Sequence, residues 1–228
     1  MKMEDGRLQP MYMQVLDPGR LLAEWHGPES VAMFPKNKPI YLQGDPAAHV
    51  YYIQRGLVKS SVLAVDGEER ALDILGRGDF IGIECIAGNP THFTTTVAIT
   101  RSQVLKVDRA KITGLLRHSP DFSVFLAGYL ASRSLRLEHT LLVQLSDTSE
   151  MRLAHVLLML SGLEPDSECL QTIPRISQQI LADMVGTTRS RTSYFMNRFR
   201  TRGLIAYDSS AISVSPKLRT WFNDAKDH

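Results

Sequence analysis

From Val31 to Val107 the apolar residues fall in short runs broken by glycine turns. Ile40-Tyr41-Leu42 ends at Gly44-Asp45, Val50-Tyr51-Tyr52-Ile53 ends at Gly56, and the run from Val58 to Val65 ends at Asp66-Gly67. Ala71 to Leu75 stops at Gly76 and Gly78-Asp79, and Thr94 to Ile99 leads through Arg101-Ser102 to Val104-Leu105-Lys106-Val107. Strands recurring about every 8–12 residues predict a small all-β barrel or jelly roll, and Asp66-Gly67 between two of them predicts a hairpin.

The period changes after Pro120-Asp121. From Tyr129 to Ser161 there is no Gly or Pro, and Ala127, Leu130, Ser134, Leu137, Leu141 and Gln144 recur at 3-4-3-4-3 spacing, a heptad-like seam widened by Leu126, Val143 and Leu145. Such a stripe packs on its own barrel or on a twin helix. The small and polar members Ala127, Ser134 and Gln144 suit close approach, which favours dimerisation. Leu145-Ser146-Asp147-Thr148 interrupts the helix, and a second helix starts at Thr148-x-x-Met151, with Arg152, Leu153, Val156, Leu157 and Leu160 on one face up to Gly162. Gly162 to Pro174 reads as a polar, acidic connection.

Ser177 is the expected N-cap of a short helix from Gln178 to Val185, with Ile180, Leu181 and Met184 facing inward. Gly186 supplies a turn, and Thr187 or Thr188 caps a second helix running to about Arg202. Thr192, Phe195, Met196 and Phe199, at i, i+3, i+4 and i+7, form its buried stripe. Arg189, Ser190, Ser193, Tyr194 and Asn197 face the other way. Gly203, Leu204-Ile205-Ala206-Tyr207, the turn Asp208-Ser209-Ser210 and Ile212-Ser213-Val214 add a hairpin wing. This is a winged helix-turn-helix pattern, in which first-turn residues of the second helix reach base edges and arginine can bind guanine bidentately. Arg189 is thus assigned to base readout, with Ser190 and Ser193 as shorter-range readers. Ser177, Thr188, Arg191, Arg198 and Arg200 are assigned to phosphates, which add affinity without sequence information.

Charge sharpens this picture. The chain of 228 residues carries a net +2, but six arginines and one acid between Arg175 and Arg202 make that window +5 and leave −3 elsewhere. A basic C-terminal module on a slightly acidic body is the footprint of nucleic-acid binding; the alternative is a solvated basic helix. A hydrophobic content of 43% and a charged content of 22% are ordinary for a globular protein. No segment approaches the roughly 18 apolar residues of a membrane span, and residues 1–10 carry acids and lack the apolar core expected of a secretory signal. The two cysteines, Cys85 and Cys169, exclude a disulfide framework and fit a reducing cytoplasm.

The sequence resembles the cyclic-AMP receptor protein / fumarate–nitrate regulator (CRP/FNR) family over nearly its whole length. The matching pieces include Gln43-Gly44-Asp45, Val50-Tyr51-Tyr52-Ile53, Asp66-Gly67-Glu68, Gly78-Asp79-Phe80-Ile81-Gly82 and Ser149-Glu150. They continue through Arg152-Leu153-Ala154, Ile176-Ser177-Gln178, Leu181 to Arg189 and Gly203-Leu204-Ile205. The resemblance implies an α+β protein in three parts: a cyclic-nucleotide-binding-like β-roll (1–118), a dimerisation helix (119–146) and a winged helix-turn-helix (147–228). It implies a homodimeric, cytoplasmic transcription factor on palindromic DNA, with RNA polymerase as a partner and a small-molecule effector sensed in the β-roll.

The effector is where the sequence departs from the family. Family members that bind cyclic nucleotides hold the phosphate with an Arg-Ser or Arg-Ala pair, because a buried phosphate needs a cation and donors. Residues 89–96 hold no arginine, and none occurs between Arg77 and Arg101. The Thr-Ser pair that meets the adenine aligns with Leu137-Glu138. Cyclic AMP is therefore not the expected effector. Gly82, Glu84, Cys85, His92, Thr94 and Thr95 form the candidate effector pocket. His92 and the threonines read first as surface strand residues and second as ligands for another small anion. Cys85 reads as a buried inert thiol, with a redox or nitric-oxide-responsive thiol as the alternative. Two cysteines are too few for an iron–sulfur cluster. Haem stays open, since one axial histidine can suffice, but the seven histidines (26, 49, 92, 118, 139, 155, 228) show no metal-ligand spacing, so no metal site is expected. Two rival classes remain: a ligand-binding module with a vestigial DNA domain, and an enzyme. No nucleophile-elbow, zincin, Walker A or dinucleotide-binding motif supports the second.

Overall fold

The computed structural model describes residues 22, 31–163 and 167–225. Residues 1–10, read above as non-secretory, and the histidines His26 and His228 lie outside that set. The described residues divide into two compact units, one ending at Gly128 and the other beginning at Tyr129.

In the first unit the strands are β1 (Val31–Phe34), β2 (Pro39–Tyr41), β3 (His49–Arg55), β4 (Leu57–Leu63), β5 (Glu69–Gly76), β6 (Phe80–Ile81), β7 (Thr95–Ala98) and β8 (Ser102–Asp108). They form two four-stranded antiparallel sheets, ordered β1-β8-β3-β6 and β2-β7-β4-β5. Tyr41, Val58 and Leu75 from one sheet pack with Tyr51, Ile53, Ile81 and Val104 from the other, so the core lies between the sheets. The expected jelly roll is therefore the observed β-roll. Gly56 sits at the β3–β4 turn with φ 91°, where an added Cβ would lie 2.6 Å from the Arg101 carbonyl oxygen; only glycine fits this close approach. Asp66-Gly67 does make a hairpin. Gly67 N donates to Ala64 O (2.9 Å), and its φ of 79° gives a turn closed by a left-handed residue. That turn starts at Ala64, which is why β4 stops at Leu63 and not at Val65.

Two elements of this unit escape the run-length pattern. The two residues of β6 are too few to read as a run, and helix α1 (Arg109–His118) buries only Ile112 and Leu115.

Helix α2 (Pro120–Ser146) is the expected long helix. Its stripe separates into two groups. Ala127, Leu130, Ser134, Leu137 and Leu141 are exposed, whereas Leu126 and Val143, read as widening the seam, are 4% and 2% exposed. At about 100° per residue Val143 points away from the seam's centre, whereas Leu126 lies at its margin; both are buried within the chain. Helix α3 (Ser149–Ser161) is capped by Thr148, whose Oγ1 accepts from Met151 N at 3.4 Å, and it ends at a left-handed Gly162.

The segment from Gly162 to Pro174 is more than a connection, because Gln171–Pro174 forms strand β9. With β10 (Ile205–Tyr207) and β11 (Ala211–Val214) it makes an antiparallel sheet ordered β10-β11-β9. The wing is therefore three-stranded. Between β9 and β10 lie helices α4 (Gln178–Val185) and α5 (Arg189–Thr201), and α6 (Pro216–Asp224) follows β11. The inward face of α4 is Leu181, Ala182 and Val185; Ile180 and Met184, expected inside, are only half-buried.

Candidate nucleic-acid interface

The turn between α4 and α5 is built by three local choices. Ser177 Oγ accepts from Ile180 N (3.2 Å) and starts α4. Gly186, with φ 67° and ψ 47°, ends it. Gly186 N donates to Asp183 O and Thr187 N to Ala182 O, the paired bonds of a Schellman stop. Thr188, rather than Thr187, then caps α5, its Oγ1 accepting from Arg191 N at 3.3 Å. A hydroxyl that accepts in this way keeps its proton, so Ser177 and Thr188 can each cap a helix and still donate to an anion.

Thr192, Phe195, Met196 and Phe199 are all buried, as the spacing predicts. Their burial fixes which face of α5 is presented. Arg189, Ser190 and Arg191 are exposed in its first turn, Ser193 is half-buried, and Tyr194 is 62% exposed. The free backbone N–H groups of a helix N-terminus add positive potential there.

Two sequence assignments need correction. Arg198 does not stand free for phosphate: its Nη1 lies 2.8 Å from Glu150 Oε2, whose side chain is 14% exposed, so it ties α5 to α3. Burying that carboxylate without a cation would be costly, which is why the arginine is held there. Gln144 is not free for a partner helix either, since its Nε2 donates to Met184 O (2.9 Å) at the end of α4. Arg152 adds to this joint, its Nη1 donating to the carbonyls of Gln144 and Asp147 (both 3.3 Å). The last turn of α2 is thus hydrogen-bonded to the first helix of the helix-turn-helix.

In the β-roll the candidate effector residues form a packed cluster. His92 is 2% exposed, which corrects its reading as a surface strand residue. Its ring stacks on Tyr41 with centroids 3.8 Å apart, and its Nδ1 lies 2.7 Å from Glu84 Oε1. Gly82 has φ 71°, and a Cβ there would come 2.8 Å from the His49 carbonyl oxygen and 3.1 Å from the His92 ring. Thr95 Oγ1 accepts from Gln43 N at 3.0 Å, while the half-buried Thr94 hydrogen-bonds through its side chain with Tyr41. Cys85 is fully buried, and burial with Glu84 beside it pushes its thiol above the usual range. Burial likewise raises the Tyr51 phenol to about 12. A separate cleft of about 510 Å³ opens between Pro46–His49, Pro90 and Asp108–Ala110, and none of the six candidate effector residues lines it. Among the described residues no group of three or more His, Cys, Asp and Glu is placed to hold a metal ion, and no helix is long and apolar enough to cross a membrane.

A β-roll followed in the chain by a long helix and a winged helix-turn-helix, with a basic helix face exposed, defines a DNA-binding transcriptional regulator. Residues 31–119 match the cyclic nucleotide-binding domain and residues 151–216 the Crp-like helix-turn-helix domain. A global nitrogen regulator of Nostoc sp. is 28% identical over 200 residues, covering 86% of this chain and 89% of that protein. A CRP-like cAMP-activated global transcriptional regulator of Mycobacterium tuberculosis is 26% identical over 188 residues, covering 82% and 84%. A solved structure of a CRP-family transcriptional regulator from Thermus thermophilus superposes with a TM-score of 0.68 at 22% identity, covering 86% of this chain and 96% of that one; at that identity it supports the fold alone. The chain belongs to the CRP/FNR family of transcriptional regulators. These relatives are regulators and not enzymes.

Proposed function

We propose that the protein works in the cytoplasm as a homodimer on a two-fold-symmetric DNA site, under an effector other than cyclic AMP bound in the β-roll. The domain limits proposed for it are 1–118, 119–146 and 147–228. The observation that carries the DNA-reading part is the presented face of α5, where Arg189, Ser190 and Ser193 line the first turns opposite a fully buried stripe. For dimerisation the support is the exposed seam on α2, where Leu130, Leu137 and Leu141 are 42%, 49% and 58% exposed. An exposed apolar stripe of this length is a surface that a twin helix would cover. Two recognition helices in successive major grooves would place half-sites about 34 Å apart.

A cAMP-activated relative makes cyclic AMP the natural rival for the effector. Against it stands the absence of arginine between Arg77 and Arg101. The carboxylate of Glu84, already engaged with His92, adds a negative group where an incoming phosphate would need cations. No metal or other cofactor enters this reading, and RNA polymerase is the expected protein partner at the promoter. Selection of bound duplexes from a random library, followed by titration with cyclic AMP, tests the reading. Enrichment of a palindrome whose binding ignores cyclic AMP supports it. An asymmetric site, or strong activation by cyclic AMP, contradicts it.

A further inference from the structure

The wing carries no cation of its own, since residues 205–214 contain neither Lys, Arg nor His. Its tip is occupied by its own turn: the Asp208 carboxylate accepts from Ser210 N, Ser210 Oγ and Ala211 N at 2.7, 2.8 and 2.9 Å. Positive charge instead converges on the one aromatic of the wing. The guanidinium carbon of Arg175, just after β9, lies 4.4 Å from the Tyr207 ring centroid, and that of Arg200, from the last turn of α5, lies 5.3 Å from it. Arg175 Nη1 also donates to Asp208 O (2.9 Å), and the Tyr207 hydroxyl donates to Asn197 Oδ1 (2.9 Å) on α5. Three elements, β9, β10 and α5, are thereby joined at one ring.

Two like charges gathered at a half-buried ring repel each other unless an anion sits between them or beside them. Neither guanidinium is ion-paired to a carboxylate among the described residues; Asp208 attracts Arg175 from a distance, its carboxylate already held by its own turn. Arg200 also lies on the stripe that begins with the base reader, because Arg189, Ser193, Asn197 and Arg200 are spaced i, i+4, i+8 and i+11.

We propose that Arg175 and Arg200, held against the ring of Tyr207, form a clamp for a phosphate of the DNA backbone beside the recognition helix. The ring fixes both planar forks before DNA arrives, so less side-chain freedom is lost on binding. Asn197 acts through Tyr207 as a positioning residue that locks the wing to α5. This clamp rests on the reading that α5 enters the major groove.

The test is the salt dependence of DNA affinity for the wild type, Arg175→Gln, Arg200→Gln, Tyr207→Leu and Arg189→Ala, each measured on the selected site and on unrelated duplex. For each of the Arg175 and Arg200 variants, affinity is expected to fall on both duplexes alike, and the slope of log affinity against log salt to shrink by about 0.9 per protomer. Tyr207→Leu is expected to weaken both duplexes, and the cost of Arg175→Gln to be smaller in its background than alone, the non-additivity of a shared site. Arg189→Ala should instead lose discrimination between the duplexes. Unchanged slopes for Arg175→Gln and Arg200→Gln, with Arg189→Ala still losing discrimination, overturn the clamp alone. Salt-independent binding by the wild type overturns both the clamp and the groove-binding reading.

Discussion

At the scale of residues, exposure and existing partners decide what each side chain is free to do. Arg189 is exposed at the first position of α5, in the turn that the Thr188 cap fixes through Arg191 N, so its side chain is available to a base. Arg189→Ala should cost on the order of 1–3 kcal/mol at one base position and little elsewhere, read by binding to duplexes with single-base changes. Thiol chemistry offers a second check. Cys85 is fully buried with its thiol pushed up, while Cys169 is exposed. Titration of the native protein with a disulfide reagent should label one cysteine quickly and the other only after denaturation; fast labelling of both would restore the sensor reading of Cys85. The outward face of α5 was legible because its apolar residues keep helical period. Arg198 was not, because composition does not reveal that its partner, Glu150, lies 48 positions upstream. His92 misled for a similar reason. Its burial depends on Tyr41, on β2 some fifty residues earlier, and on Glu84 eight residues earlier.

At the scale of elements, caps and turns were the most readable features, since each is a local agreement between one residue type and one backbone shape. Thr148, Ser177, Gly67 and Gly186 all act where the sequence places them. Short elements with few apolar residues, β6, β9 and α6, were not readable, because tertiary pairing rather than local pattern makes them. Loss of the Thr148 cap in Thr148→Ala should destabilise the protein by about 1 kcal/mol, seen as a lower denaturation midpoint at constant slope. Gly56→Ala should cost more than that cap, because a positive φ and an added Cβ 2.6 Å from a carbonyl oxygen act together. Equal denaturation midpoints for the two variants would contradict this account of the β3–β4 turn.

At the scale of the whole molecule, the last turn of α2 would carry the link between the proposed dimer and DNA reading. Gln144 and Arg152 bind that turn to α3 and α4, so a partner helix lying along Leu130, Leu137 and Leu141 would bear on the placement of α5. Leu137→Glu should leave the fold intact and shift the sedimentation of the protein from dimer to monomer at micromolar concentration. A dimer that survives this change would place the interface elsewhere. The central claim, that two recognition helices read a symmetric site through Arg189, is tested most directly by hydroxyl-radical protection of the selected DNA by wild type and Arg189→Ala. The account predicts two protected half-sites about 34 Å apart for the wild type, and loss of that pattern for the variant at concentrations where it still binds DNA. A single protected half-site, or an unchanged pattern in Arg189→Ala, would contradict it.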